Sequence, residues 1–303
     1  MATMTRAQLL KELVPGLNAL FGLEYNRYPD EHTAIYDVES SERAFEEEVK
    51  LSGFSAAPVK DEGDAIAWDA GQEVWIARYN HETVALGFNI TEEAIEDNLY
   101  DSLSARYTKA LARAMQYTKQ VKAASPMNNG FTTYTVGDGQ TLFSNAHPLA
   151  SGGTNSNVPT TMNDLNETSL EAAVIQIAAW TDERGLLIAA RPRKMIIPPA
   201  LMFVAERLLT TPGRVGTADN DINAVRQMGT IPEGSTINHW LTDTNAWFIK
   251  TDIPNGAKMF QRVAMKTAMD GDFITGNVRY KARERYSFGF SDPLGFWGSS
   301  GST

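Results

Sequence analysis

Residues 91–126 read TEEAIEDNLYDSLSARYTKALARAMQYTKQVKAASP, and this stretch decides the fold. Thr91 stands as an N-cap, Glu92, Glu93, Glu96 and Asp97 crowd the first turns, and Lys119 and Lys122 occupy the last, the distribution a helix dipole favours. Ile95, Leu99, Leu103, Tyr107, Ala110, Ala114, Tyr117 and Val121 recur at spacings of three and four, which predicts one apolar stripe. Neither glycine nor proline intervenes before Pro126. A continuous helix over residues 91–122 would span about 48 Å at 1.5 Å per residue, the reach of a whole domain. Such a rod reads as a structural spine.

Outward from the spine, composition sets limits. The chain has 303 residues, 43% of them hydrophobic, enough for a real core. A net charge of -10 argues against a protein whose main task is coating phosphate backbones. Zero cysteines exclude disulfides, thiolate zinc sites and thiol catalysis. No run approaches the roughly 18 apolar residues that cross a bilayer, and the first ten residues lack a signal-peptide core, so neither membrane contact nor an export address is expected.

Before the spine, residues 9–21 read as a short helix interrupted by Pro15-Gly16, its apolar surface too small to stand alone. From Asp30 to Asp64, eleven acids, Glu46, Glu47 and Glu48 among them, face Arg43, Lys50 and Lys60. Two strand-like runs follow, Glu73 to Tyr79 and Thr83 to Phe88, and Asn80-His81-Glu82 between them predicts a hairpin turn. Beyond the spine come a short strand over 132–136, a turn at Gly137-Asp138-Gly139, a loop over 151–164 and a helix over 170–180. Residues 191–267 read as a compact α/β unit: a strand at 194–199, a helix at 201–209, and strands at Trp240-Leu241, 247–250 and 259–265. The tail 298–303 is Gly/Ser-rich and is expected to be mobile unless neighbours pin it, which points to an assembly.

Near the C-terminus, Arg279, Lys281, Arg283 and Arg285 alternate with Tyr280, Ala282, Glu284 and Tyr286. Period two places four cations on one strand face and the aromatics on the other. Like charges in a row want anionic company. Three readings stand: a solvated edge that discourages aggregation, pairing with the acidic window within or between subunits, and contact with nucleic acid.

No catalytic constellation emerges. His32, His81, His147 and His239 are scattered without metal-ligand spacing. Ser144 and His147 could tempt an acyl-transfer reading, but G-x-S-x-G is absent, and His147 before Pro148 reads as a turn residue bonded to a backbone carbonyl. Gly137-Asp138-Gly139 lacks the rest of a dinucleotide fingerprint, and Asp219-Asn220-Asp221 lacks that of a calcium loop.

The order of parts resembles the major head proteins of tailed phages, specifically the Mu-type major head subunit family with the Hong Kong 97-type capsid fold. The likeness is carried by Ala85-Leu86-Gly87-Phe88 leading into Thr91-Glu92-Glu93, by Ala110 to Met115, by Asn129-Gly130-Phe131, by Arg193 to Pro199 and by Phe288-Gly289-Phe290 to Trp297. Its most specific element is Leu142-Phe143-Ser144-Asn145-Ala146-His147-Pro148. The resemblance implies an α+β fold with an N-terminal arm (1–40), an extended loop (41–90), a peripheral domain on the spine (91–190), an axial domain (191–267) and C-terminal strands returning to the peripheral domain (268–303). It further implies a shell of hexamers and pentamers in a virion, assembled in the host cytoplasm around double-stranded DNA with separate scaffold and portal proteins, and no cofactor. Some relatives crosslink from the extended loop, where Lys60 lies, but no partner asparagine is identifiable. Trp68, Trp75 and Tyr79 are the expected intersubunit anchors, since aromatics bring large area at low entropic cost. A tail-tube or decoration protein, or a hydrolase using Ser144 and His147, are the rival readings.

Overall fold

The computed structural model describes residues 6–91, 100–213, 221–271 and 276–302. In chain order its main elements are α1 (Arg6–Tyr25), β1 (Asp37–Ser40), β2 (Phe45–Leu51), β3 (Glu73–Asn80), β4 (Glu82–Ile90), α2 (Tyr100–Asn128), β5 (His147–Pro148), β6 (Thr154–Asn155), α3 (Glu167–Ala178), β7 (Pro192–Ile197), α4 (Met202–Thr210), α5 (Ala224–Gln227), β8 (Ser235–Ile237), β9 (Trp247–Thr251), β10 (Ala257–Gly271), β11 (Val278–Phe290) and β12 (Phe296–Ser299).

The predicted spine is α2, whose described part is 29 residues long, but the predicted stripe is not its buried one: Tyr107, Ala110, Tyr117 and Val121 are exposed, because α1 and the central sheet cover the face of Leu111, Ala112 and Met115 instead. The expected acidic first turns, residues 92–99, lie outside the described residues. At its other end the helix runs past the predicted stop, carrying Pro126 inside its last turn. Proline removes one amide donor, but Ala123, Ala124 and Met127 are almost wholly buried, and the Asn128 side chain clamps Trp240 O and Thr242 N at 3.0 Å each. The same correction applies to α1, which continues through Pro15-Gly16 because Leu17 and Phe21 bury their side chains against Leu111, Ala112 and Met115 of α2.

A central sheet of order β1-β10-β11-β4 lies against these helices, with β1 parallel to β10 and the remaining pairs antiparallel. Tyr280 and Ala282 of β11 face the helices, as period two predicts. A buried ion pair fastens α2 to this sheet. Lys119 Nζ lies 3.5 Å from Glu284 Oε2 and donates to Tyr25 Oη at 3.4 Å, while Tyr25 donates to the same carboxylate at 3.3 Å. Burial pushes the Glu284 carboxyl above its usual range, with Lys119 opposing, and Glu284 Oε1 has no hydrogen-bond partner.

The second sheet, of order β12-β9-β7-β8, packs against α3, which a capping box of Asn166 and Ser169 begins. Three of its strands come from the predicted 191–267 unit, but β10 leaves for the central sheet and β12 enters from the C-terminal end. The reason is packing: the Trp297 ring of β12 lies 4.7 Å from that of Trp247 of β9, tilted by 49°, and its indole N–H donates to Gln176 of α3 at 2.9 Å. Trp297→Ala is therefore expected to cost about 3–5 kcal/mol of stability, read by chemical denaturation. The predicted strand at Trp240-Leu241 is instead a turn, begun where the Trp240 amide bonds Asn238 Oδ1 at 2.9 Å. The expected 132–136 strand is reduced to the bridge Thr135–Thr141. Nor does the Gly/Ser tail need neighbours: Ser299 Oγ donates to Asn163 O at 2.8 Å, and Ser302 donates to Asp164 from its amide at 2.8 Å and its hydroxyl at 2.6 Å.

Candidate assembly surface

The predicted hairpin of Glu73 to Tyr79 with Thr83 to Phe88 does not form. β3 pairs instead with β2, Phe45 opposite Asn80 and Val49 opposite Ile76, and β4 pairs with β11. Only His81 separates β3 from β4, too little chain for the two-residue loop a hairpin requires, so the backbone passes from one pair of strands into the other without folding back on itself. His81 is buried at this junction, Nε2 3.0 Å from Ser41 Oγ and Nδ1 3.0 Å from Ser287 Oγ. Burial, and after it Arg285, holds the ring below the usual histidine range.

β2 and β3 thus form an arm whose tip is the segment 52–72. Its base is fastened by Ser52 N to Gln72 O at 2.9 Å and Ser55 N to Asp69 Oδ2 at 2.7 Å. Arg184 holds the returning strand by donating to Ala70 O at 2.6 Å. Beyond that, large apolar side chains stand in solvent: Phe54 and Ile66 are well exposed, Trp68 is 93% exposed and Val59 96%. Single exposed apolar residues are ordinary, whereas this one extension carries four.

At the root the arm is tied to the body by charge. Lys258 of β10 pairs with Glu48 and, at 3.0 Å, with Glu39, and Lys50 pairs with Asp292. Burial works against the Lys258 charge, but the two carboxylates more than offset it and hold the ammonium above its usual range. Glu47 meets Arg78 at 3.6 Å, and Glu46 accepts from Ser41 Oγ at 2.7 Å with Arg43 at 3.9 Å. Glu46, Glu47 and Glu48 thus bond to neighbours other than the basic stripe, and the expected pairing with it inside one chain is not what their bonds show.

Of the predicted anchors, Tyr79 is committed within the chain: it is buried, packs edge-on to Phe260 at 4.8 Å, and its hydroxyl meets Ser291. Trp75 is half-buried against the turn at Gly137, where an added Cβ would lie 2.3 Å from its ring. Trp68 alone of the three is freely presented.

On β11 the predicted alternation is present. Arg279, Lys281 and Arg283 point outward, Arg285 is half-buried, and Tyr280, Ala282, Glu284 and Tyr286 are buried. Register adds a cation that the local pattern does not reveal, Lys266 of β10 opposite Arg283. On the other side Ala85 and Gly87 of β4 stand opposite Arg283 and Lys281. A Cβ on Gly87 would come within 3.2 Å of Lys281 Cβ, so the cations rise from a nearly smooth surface.

The Ser144 and His147 pair is not a catalytic one. Nε2 of His147 meets Asn157 Oδ1 at 3.2 Å and Nδ1 meets Asp138 at 2.6 Å, while Ser144 Oγ accepts from Ala146 N at 3.2 Å. His147 bonds side chains rather than the expected backbone carbonyl, and Asn157 goes on to donate to Leu142 O, Pro293 O and Phe296 O, knitting the 142–148 segment to the C-terminal strands. His32 meets Gln120 and His239 meets Glu31, each histidine having its own separate partners. Among the described residues no group of His, Asp and Glu is arranged to hold a metal.

The phage capsid protein family matches this chain over residues 76–298. The chain belongs to that family. Solved structures with the same fold include the capsid of an empty GTA particle (14% identity, 88% of each chain, TM-score 0.57) and the capsid of the cyanophage P-SCSP1u (13%, 87% of this chain and 85% of that one, TM-score 0.57). The procapsid of bacteriophage JBD30 is also similar (13%, 99% of this chain and 77% of that one, TM-score 0.54). A search of curated protein sequences found no match. The fold is the Hong Kong 97-type, and the protein is a major capsid protein that builds the phage head shell. In this capsid protein the spine is packed into the body and the arm tip stands in solvent.

Proposed function

We propose that hexamers and pentamers of this capsid protein close into an icosahedral shell around the double-stranded DNA of a tailed phage, in a structural role without catalysis. The observation that carries this reading is the β2–β3 arm, whose exposed Phe54, Val59, Ile66 and Trp68 find no cover in their own chain. Within the shell, α1, β1 and β4 join α2, β10 and β11 in the peripheral body, in place of the expected 1–40 arm, and residues 192–251 together with β12 act as the axial unit. Trp68 and the outer edge of Trp75 anchor the arm on an adjacent subunit, and Arg279, Lys281, Arg283 and Arg285 supply charged contacts. A standard interface buries about 800 Å² per partner, and many modest contacts multiply in a closed shell. Assembly takes place in the host cytoplasm with separate scaffold and portal proteins, and DNA touches the interior weakly, as a net charge of -10 favours. The Leu142 to Pro148 string supports placing the chain with the Mu-type subunits. Electron microscopy of the expressed chain is expected to show closed shells; open tubes, or dispersed monomers even with a scaffold protein supplied, would overturn the reading.

A further inference from the structure

Some charges have no partner among the described residues. Among the described residues, Lys266, Lys281 and Arg283 are exposed on the outer face of β10 and β11 without an ion pair, two of them directly opposite across the strands. Alternate residues of a strand stand about 7 Å apart, so the three make one compact cationic patch. Glu46, Glu47 and Glu48 are committed near the arm root, but Asp61, Glu62 and Asp64 at the tip are exposed and their carboxylates bond to nothing. A turn closed by Asp64 N to Asp61 O at 3.2 Å, with Gly63 at φ 90°, carries all three carboxylates.

We infer that the carboxylates of Asp61, Glu62 and Asp64 at the arm tip of one copy dock on the Lys266, Lys281 and Arg283 patch of another. The inference rests on the reading that the arm grips a neighbouring subunit, and it names where that grip lands. Three features select this occupant. The two patches are opposite in sign and alike in size. The carboxylates sit on an extension that leaves its own body, and the smooth surface around Ala85 and Gly87 leaves the cations open to approach. Nucleic acid is the weaker candidate, because a chain of net charge -10 repels phosphates everywhere outside the patch. Complementary charge of this kind sets register and partner more than raw affinity, so it would fix where the tip settles while the apolar residues beside it supply adhesion.

Charge reversal tests this. Lys281→Glu with Arg283→Glu, or Asp61→Lys with Glu62→Lys and Asp64→Lys, should each lower the yield of sedimenting particles by about tenfold or more, since like charges then face one another. All five substitutions together should restore it, and unchanged melting of each variant would show that the fold is intact. Because the chain has no cysteine, a chain carrying both Glu62→Cys and Lys281→Cys should form disulfide-linked ladders in assembled particles that neither single substitution gives. Reversals without effect on yield, or single reversals that the combination fails to rescue, would overturn the inference. A defect confined to the Lys281 and Arg283 variant, with particles formed but DNA not retained, would assign the patch to nucleic acid instead. Wild-type chains that never assemble would overturn the arm reading itself, whereas assembly lost on removing the arm tip but indifferent to its charge would overturn this inference alone.

Discussion

Replacing residues 54–68 with a short Gly-Ser-Gly turn is expected to abolish closed particles while leaving the subunit folded. The side chains removed are among the most exposed in the chain, Trp68 and Val59 above all, so the body loses almost no buried contact. The arm's base keeps its Ser52 to Gln72 bonds and the ladder between β2 and β3. Surface changes of this kind usually move stability by no more than about 0.5 kcal/mol. Loss of an anchoring aromatic at an interface commonly costs about 2 kcal/mol or more per contact, and a shell repeats that loss at every subunit. Sedimentation and electron microscopy read the assembly, and calorimetry reads the fold. Normal particles from the shortened chain would show that the arm grips nothing.

Lys119→Met is expected to cost about 3–5 kcal/mol near neutral pH, the range for breaking a buried ion pair and leaving one charge uncompensated. The sign of its pH dependence follows from Glu284. Burial already raises this carboxyl above 4.5, so the folded chain binds its proton more readily than the unfolded chain does. Its contribution to stability is present in full below about pH 4.5 and is lost as pH rises through the folded value. Removing Lys119 takes away the cation that opposes the shift, so the gap between variant and wild type should be small near pH 4 and widen toward pH 8. Adding Glu284→Leu should recover most of the loss, because no buried charge then remains. Denaturant titrations across that range check both statements, and a gap independent of pH would count against an uncompensated Glu284.

Short-range periodicity was legible on a strand but not on α2, where the predicted stripe through Tyr107, Tyr117 and Val121 faces solvent and the less apolar-looking face of Leu111, Ala112 and Met115 is covered by α1 and β11. The alternation along β11 sorted the cations from Tyr280, Ala282 and Tyr286 correctly, and even placed Glu284 on the buried side, because the direction of a strand side chain depends only on its parity. Which strands pair was not legible: Glu73 to Tyr79 looked like half of a hairpin, and its true partner lies upstream across the 52–72 segment. Pro15 and Pro126 were read as breakers, although buried neighbours carry both helices through them. Composition located the acidic window but could not divide it, since Glu48 is neutralised by Lys258, far along the chain, while Asp61, Glu62 and Asp64 have no such partner. The exposed apolar tip was partly visible in Trp68, yet nothing local distinguishes it from Tyr79, whose ring is packed away against Phe260.

The single-residue step at His81 has a mechanical consequence. Tension applied to the arm by a neighbour, as when internal pressure swells a container, passes along the main chain from β3 into β4 through one residue, with no loop between them to pay out. The ladder from Glu82 to Ile90 against β11 then bears the load lengthwise, with its hydrogen bonds lying across the direction of pull. Bonds so loaded share the force and must yield together, whereas a folded-back hairpin would peel open one rung at a time. The junction makes each subunit resemble a strap sewn along its whole seam.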